Sequence, residues 1–343
     1  MFHPTTWRVL PATIAAGLAL LACHAQPAKT ADVDPESGEG HAIKARDAMV
    51  GHPAPSAVID GIDGDRVALA DLRGHKPVYL KFWATWCKPC REQMPHLEAA
   101  HRKYGDRIAT YAVALGLNDP IETVRAFRTE HNLTVPIAID RDGSLAELLH
   151  VAVTPQHVLI DRAGVIRYVG HEANAELDAA LEALLQDAAP GEVPPRATPA
   201  ADPALALTLL DGSTFTLAGH AGRPVAVTFV STWCDTYLKK TRPAMAEACL
   251  AHAHQAEAQR RSHDRVDWMT VAHPVWTAAG DLEQYRTRTG FGAPIGLDER
   301  AQWFHHFGIR DTPVTVLFDD HGLEVARVSG PGDELASALA RLR

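Results

Sequence analysis

Two cysteines separated by two residues, Cys87 and Cys90 in "WATWCKPCREQMP", are spaced for reversible sulfur chemistry. At a helix start the first sulfur meets unpaired amides and the positive end of the helix dipole, which stabilise a thiolate. The second sulfur lies one turn on, within bonding reach. Thiolate Cys87 then attacks a substrate disulfide, and Cys90 attacks the Cys87 sulfur to release the reduced substrate. Lys88 adds a positive charge beside the couple, and Pro89 restrains the loop between the sulfurs. In the second half of the chain "VSTWCDTYLKKTRP" repeats the phrase, with Tyr237 where the second cysteine would stand.

The chain has five cysteines: Cys23, Cys87, Cys90, Cys234 and Cys249. They are too few for a disulfide-scaffolded fold of this length, so the close pair reads as reactive. Half of a zinc site is the other use of such a pair, but no second C-x-x-C supplies further ligands. No metal and no cofactor are expected. Cys249 stands four positions after Met245, a core spacing, and reads as a buried apolar cysteine. On one continuous helix its Cα would lie about 22 Å from that of Cys234, whereas a disulfide tolerates about 7 Å. Only a severe break at Pro243 would bring the two together. Cys234 is left either as part of a scaffold or docking domain, or as a monothiol that forms mixed disulfides. The histidine clusters His252/His254 and His305/His306 do not share helix faces well and read as exposed polar positions.

The elements around both phrases alternate. "VYLKFW" is a strand; "REQMPHLEAAHRKYG" has helical spacing and a Gly105 stop; "IATYAVAL" is a strand. A helix from Pro120, a strand "VPIAID", a short helix "SLAELLH", a hairpin "HVLIDRAGVIRYVG" and a last helix "NAELDAALEALLQ" follow. The second half repeats the plan: strand "VAVTFV", a long helix to about Arg260, strand "DWMTVAH", helices near 281–289 and at "ERAQWFHHFG", and a closing hairpin. Landmarks recur in order: Asp63-Gly64 with Asp211-Gly212, Pro77 with Pro224, and Thr154-Pro155 with Thr312-Pro313. The pattern predicts an α/β fold in two copies, each a mixed central sheet covered on both faces.

The flanks set the boundaries. "ATIAAGLALLA" after Arg8 is an apolar core of signal-peptide length, too short to cross a bilayer comfortably. It ends in "LLAC", which resembles a bacterial lipobox with Cys23 as the lipidated residue; ordinary cleavage leaving a soluble secreted chain is the alternative. Residues 1–22 are thus expected as signal peptide and 23–50 as a flexible, lipid-anchored tether. The proline-rich run "APGEVPPRATPAADP" makes residues 189–203 a linker, between an active domain at 51–188 and a degenerate one at 204–343. Either way the mature chain lies outside the cytoplasm, where disulfides persist. A formal charge of −9 gives no electrostatic support for nucleic-acid binding.

The motif Trp86-Cys87-Lys88-Pro89-Cys90, the upstream "FWATWC" and Pro95 resemble thioredoxin-fold proteins. The opening "HPAPSAVIDGIDGDRVALADLRGHKPVYLKFWATWC" resembles their TlpA/ResA-like branch, which adds an N-terminal hairpin. The resemblance covers roughly residues 50–343 and is weaker in the second copy. It implies tandem thioredoxin-like folds, the second degenerate. It also implies thiol–disulfide exchange on protein disulfides in the periplasm, as a reductase fed by a transmembrane thiol reductase. The family's cis-proline loop maps onto Thr154-Pro155 and Thr312-Pro313. It lines a substrate groove where an extended chain can pair, and the couple is expected at an accessible lip there. Where the family carries a buried acid, this chain has Lys81, expected to stabilise thiolate or to reach water. Gln93 stands where some family members place a glutamate, which leaves a water or Glu92 to handle the proton. A thioredoxin-fold copper chaperone and a thiol-dependent client-binding module are the competing functions.

Overall fold

The computed structural model describes residues 33–34, 37–186 and 205–342. The expected signal peptide, Cys23 and the 189–203 linker lie outside the described residues. In chain order the first half forms α1 (Gly38–Met49), β1 (Val58–Asp60), β2 (Arg66–Ala68), α2 (Leu69–Leu72) and β3 (Val78–Trp83). It continues with α3 (Lys88–Glu92), α4 (Met94–Tyr104), β4 (Ala109–Ala114), α5 (Ile121–Glu130) and β5 (Ile137–Ile139). It closes with α6 (Ser144–Leu148), β6 (Gln156–Ile160), β7 (Ile166–Gly170) and α7 (Ala175–Leu184).

The second half runs β8 (Leu207–Thr208), β9 (Thr214–Phe215), a 3-10 turn, β10 (Val225–Val230), α8 (Cys234–Tyr237) and α9 (Pro243–Ser262). Then come β11 (Asp267–Ala272), α10 (Ala279–Thr289), β12 (Ile295–Leu297), α11 (Gln302–His306), β13 (Val314–Phe318), β14 (Glu324–Ser329) and α12 (Glu334–Leu339).

Each half builds a five-stranded mixed sheet of the same order, β5-β4-β3-β6-β7 and β12-β11-β10-β13-β14. The central strands β3 and β10 are buried along their whole length, as near-continuous apolar runs must be when both faces are covered. Each runs parallel to one neighbour and antiparallel to the other. The hairpins β1-β2 and β8-β9 attach to the edge strands through bridges Gly61–Ala138 and Leu209–Gly296. These are the two thioredoxin-like folds, with the N-terminal hairpin, that the pattern predicts.

Two expectations are corrected. Residues 38–49, expected within the flexible tether, form the helix Gly38–Met49. Ser37 caps it by accepting from Gly40 N at 3.0 Å, and Ala42, Ala45 and Met49 are buried, with the helix lying on β7. A low-hydrophobicity helix whose apolar face consists of alanines leaves little periodic signal. His252 is also buried rather than exposed. It bridges the Gly330 carbonyl at 2.8 Å and Thr315 Oγ1 at 2.9 Å, whereas His254, His305 and His306 are exposed as expected. Among the described residues no helix is long and apolar enough to cross a membrane.

Candidate active site

The buried strand β3 delivers the chain to Cys87, which stands at the N-cap of α3 and accepts from Cys90 N at 3.2 Å. Cys87 and Cys90 form a disulfide with Cα atoms 5.2 Å apart. Pro89 occupies the first turn of α3, where a missing N–H costs nothing. The Thr154 carbonyl oxygen lies 3.6 Å from Cys87 Sγ, and the Thr154–Pro155 bond that follows is cis. Trp86 is anchored through Nε1 to the Leu117 carbonyl at 2.9 Å. Lys88 is exposed and its ammonium pairs with Glu92 at 2.5 Å, so both charges of that pair face solvent rather than the sulfurs. Glu92 is therefore not the acid beneath Cys90.

Lys81 does not reach water. Its side chain is 0% exposed in the middle of β3, and Nζ donates to the Cys90 carbonyl at 3.3 Å. Burial pulls its pKa down to about 7, so the amine gives up its proton near neutrality and is able to accept one. Its cross-strand neighbour is His157, held between the Tyr79 hydroxyl at 2.8 Å and Gln93 Oε1 at 2.9 Å. Burial first, and then the Lys81 charge, keep the His157 pKa well below its ordinary value. Gln93 thus orients a neutral imidazole; its amide nitrogen donates to Glu172 at 3.1 Å.

The couple is not at an open lip. Cys87 and Cys90 are both 0% exposed, and the matching face of the second fold lies on the residues that flank them. Trp233 stacks on Trp86 with ring centroids 4.5 Å apart, and Tyr237 meets both rings edge-on. The Tyr237 hydroxyl accepts from Lys88 N at 2.8 Å. Arg242 donates to Thr85 Oγ1 at 2.6 Å and to the Asn118 carbonyl at 2.9 Å. In the proline loop, Trp276 N donates to the Ala152 carbonyl at 3.0 Å and Trp276 Nε1 to Thr154 Oγ1 at 3.0 Å. A backbone from the second fold therefore pairs where an extended client was expected. The arrangement is reciprocal: Asn118 N donates to the Arg310 carbonyl at 2.8 Å, and the Asn118 amide bonds Thr312 through both its atoms at 2.7–3.0 Å. Asn118 and Trp276 both adopt positive φ, near +50° and +57°. Each presents its backbone to the other fold's Thr-Pro loop, as in an isologous interface.

Cys249 is the partner that Tyr237 fails to be, contrary to the unpaired reading. α8 stops after one turn, the chain breaks direction over Leu238–Arg242, and α9 restarts at Pro243. The two helices fold against each other and bring Cys234 and Cys249 to 6.2 Å between Cα atoms, joined as a disulfide. The separation of about 22 Å expected along one helix does not apply, because Cys234 and Cys249 stand on two helices. The six-residue offset of Pro243 from Tyr237, one more than in the first copy, is the signal of the break.

The sequence profile of the AhpC/TSA family matches residues 50–169. The thioredoxin-like protein YneN of Bacillus subtilis is 38% identical over 131 residues, which cover 37% of this chain and 76% of that protein. The thiol-disulfide oxidoreductase ResA of Bacillus thuringiensis is 32% identical over 139 residues, 40% of this chain and 79% of that protein. Among solved structures, the exposed lipoprotein thioredoxin Etrx1 of Streptococcus pneumoniae is 26% identical, with 38% of this chain and 98% of that chain covered and a TM-score of 0.35. The chain belongs to the ResA/YneN group of thioredoxin-like thiol-disulfide oxidoreductases. Its Cys87–Cys90 disulfide has C-x-x-C spacing in that fold.

Sequence reasoning placed Cys87, Cys90, Trp86, Thr154 and Pro155 in one place, and they are together here. Trp233, Tyr237, Arg242 and Trp276 as the cover, and Asn118 as their counterpart on the first fold, are not foreseen, since nothing in a repeat says that its copies meet face to face.

Proposed function

We propose that the chain is an extracytoplasmic reductase of protein disulfides. The proposal is supported chiefly by the Cys87–Cys90 disulfide at the start of α3, held against the Thr154 carbonyl in a chain related to ResA. Cys87 is the attacking thiol and Cys90 the resolving one. Pro155 and Thr154 shape the groove, and Trp86 fixes the approach. Pro89 holds the turn, while Lys88 and Gln93 act at its edges. In reduction, Cys87 thiolate attacks a client disulfide; Cys90 then loses its proton and attacks Cys87, and the client leaves with two electrons and two protons. Lys81, buried under Cys90, is the group placed to exchange that proton in its neutral form. Residues 51–188 form the active unit and 204–343 the second. Cys23 carries the lipid that holds the chain to a bacterial membrane, and a transmembrane thiol reductase returns the electrons.

The Cys87–Cys90 potential against a glutathione buffer tests the direction. A reductase requires a value more reducing than about −180 mV; a value close to that of strong periplasmic oxidants, about −120 mV, refutes it. Loss of Cys23 should release the chain from membranes into the soluble periplasmic fraction.

A further inference from the structure

We propose that Cys234–Cys249 is a second reducible couple, and that its reduction releases the second fold from the face covering Cys87–Cys90. Cys234 occupies in its fold the place that Cys87 holds in the first: it follows a buried central strand, succeeds an anchored tryptophan, and lies in the same fold as a cis Thr312–Pro313 loop. Trp233 Nε1 donates to the Val275 carbonyl as Trp86 does to Leu117. The reactive position of the fold is thus kept, and only the second cysteine has moved, from one turn along to the second turn of the next helix.

The disulfide closes the segment that does the covering. Tyr237 and Arg242 lie between Cys234 and Cys249, and Trp233 immediately precedes them. These three residues supply the ring stack on Trp86, the bond to Lys88 N, and the bonds to Thr85 and Asn118. Trp233, Cys234, Leu238 and Cys249 belong to the same apolar cluster as Trp86, Cys87 and Cys90. With the bond intact, α8 is pinned to α9 and the covering side chains are pre-organised. With it open, α8 loses its covalent tie to α9 and is left to the Asp235–Arg288 pair and the buried Leu238, and helices this short do not persist without such ties.

The chemistry needs a dithiol donor. Its thiolate attacks Cys249 Sγ, since Cys249 is the less buried residue of the pair, at 7% exposure against 1% for Cys234. The Cys234–Cys249 bond breaks and Cys234 departs as a thiolate that takes a proton. The donor's second thiolate then attacks its own sulfur bonded to Cys249, and Cys249 leaves as the second thiol. Two electrons pass to the couple, and the donor ends as a disulfide.

This inference rests on Cys87–Cys90 being the exchanging couple. The test titrates the full chain with dithiothreitol, followed by differential alkylation and peptide mass spectrometry. Cys234 and Cys249 should become labelled while the protein remains folded, and labelling of Cys87 with a polyethylene-glycol maleimide should rise in step. The Cys234→Ser/Cys249→Ser variant should let glutathione reduce Cys87–Cys90 about tenfold faster, as expected when a protected site is opened. Tyr237→Ala/Arg242→Ala should do the same with the disulfide intact. A Cys234–Cys249 bond that stays oxidised in folded protein while Cys87–Cys90 opens would overturn the proposal. So would equal glutathione rates in wild type and in the two variants. If the double-serine chain fails to fold, the wild-type titration and Tyr237→Ala/Arg242→Ala decide between these outcomes. A Cys87–Cys90 bond that no dithiol opens even in Tyr237→Ala/Arg242→Ala would remove the exchange reading itself, and the proposal with it.

Discussion

At the centre of the first sheet Lys81 stands opposite His157; at the same place in the second sheet Thr228 stands opposite Thr315. The threonines satisfy each other at 3.0 Å between hydroxyls, and His252 closes the set on Thr315. The lysine has only the Cys90 carbonyl, at the long end of hydrogen-bond range. A buried amine held this loosely is a stability cost, and it lies under the C-x-x-C couple. The copy whose second cysteine became Tyr237 also has neutral hydroxyls here. The costly ionisable group and the resolving cysteine of the C-x-x-C occur in the same copy, as the proposed proton exchange through Lys81 requires.

The contrast is sharpest in turnover. Cys87→Ser should lower insulin-disulfide reduction at least ~10³-fold, because the thiol left, Cys90, lies inside the helix rather than at its N-cap. Cys234→Ser should leave the assay running, faster if the cover loosens. Equal losses in both would make the copies functionally equivalent and end the comparison.

Next is Thr228→Lys, which places the lysine in the copy that lacks a reason for it. It should cost about 3–5 kcal/mol in denaturant unfolding, as an unpaired buried charge does. The reverse change is gentler and carries a pH signature. Burial lowers the Lys81 pKa from 10.5 to about 7, so between those values the unfolded chain binds more protons and stability rises with pH. Below about 7 both states are protonated and the penalty is present in full. Lys81→Met should therefore stabilise by about 2 kcal/mol near pH 6, with the gain fading as pH approaches 10.5. It should also slow resolution by Cys90 and flatten its pH–rate profile, which a purely structural lysine would not do. The smallest effect is expected from Asn118→Ala. It removes two side-chain bonds to Thr312 and should cost about 1–2 kcal/mol, read as a lower thermal midpoint and faster labelling of Cys87.

Much of this was legible beforehand for a physical reason. Strands such as "VYLKFW" and "VAVTFV" are continuous apolar runs that leave no choice but a covered central position. The cysteine spacing fixed Cys87 and Cys90, and both Thr-Pro loops adopt the cis bond that the resemblance implied. What was not legible depends on contacts distant in sequence. The Cys234–Cys249 bond needs the reversal between α8 and α9, which Pro243 hints at but does not dictate. Lys81 is the exception inside its own apolar run: a lysine there ordinarily sends its amine out to water, and only the distant contacts that cover β3 keep it at 0% exposure on the Cys90 carbonyl. Helix α1 was read as tether because alanines bury without announcing a stripe.

The Trp276 backbone bond to Ala152 also bears on how strangers are admitted. A resident joined to its own groove by the polypeptide presents itself at an effective concentration on the order of millimolar. A visiting polypeptide must win that contest residue by residue before its sulfurs come near Cys87. Selectivity then lies in the rivalry: weak passers-by are turned away by the incumbent, and only visitors whose strand and side chains outbid it gain entry.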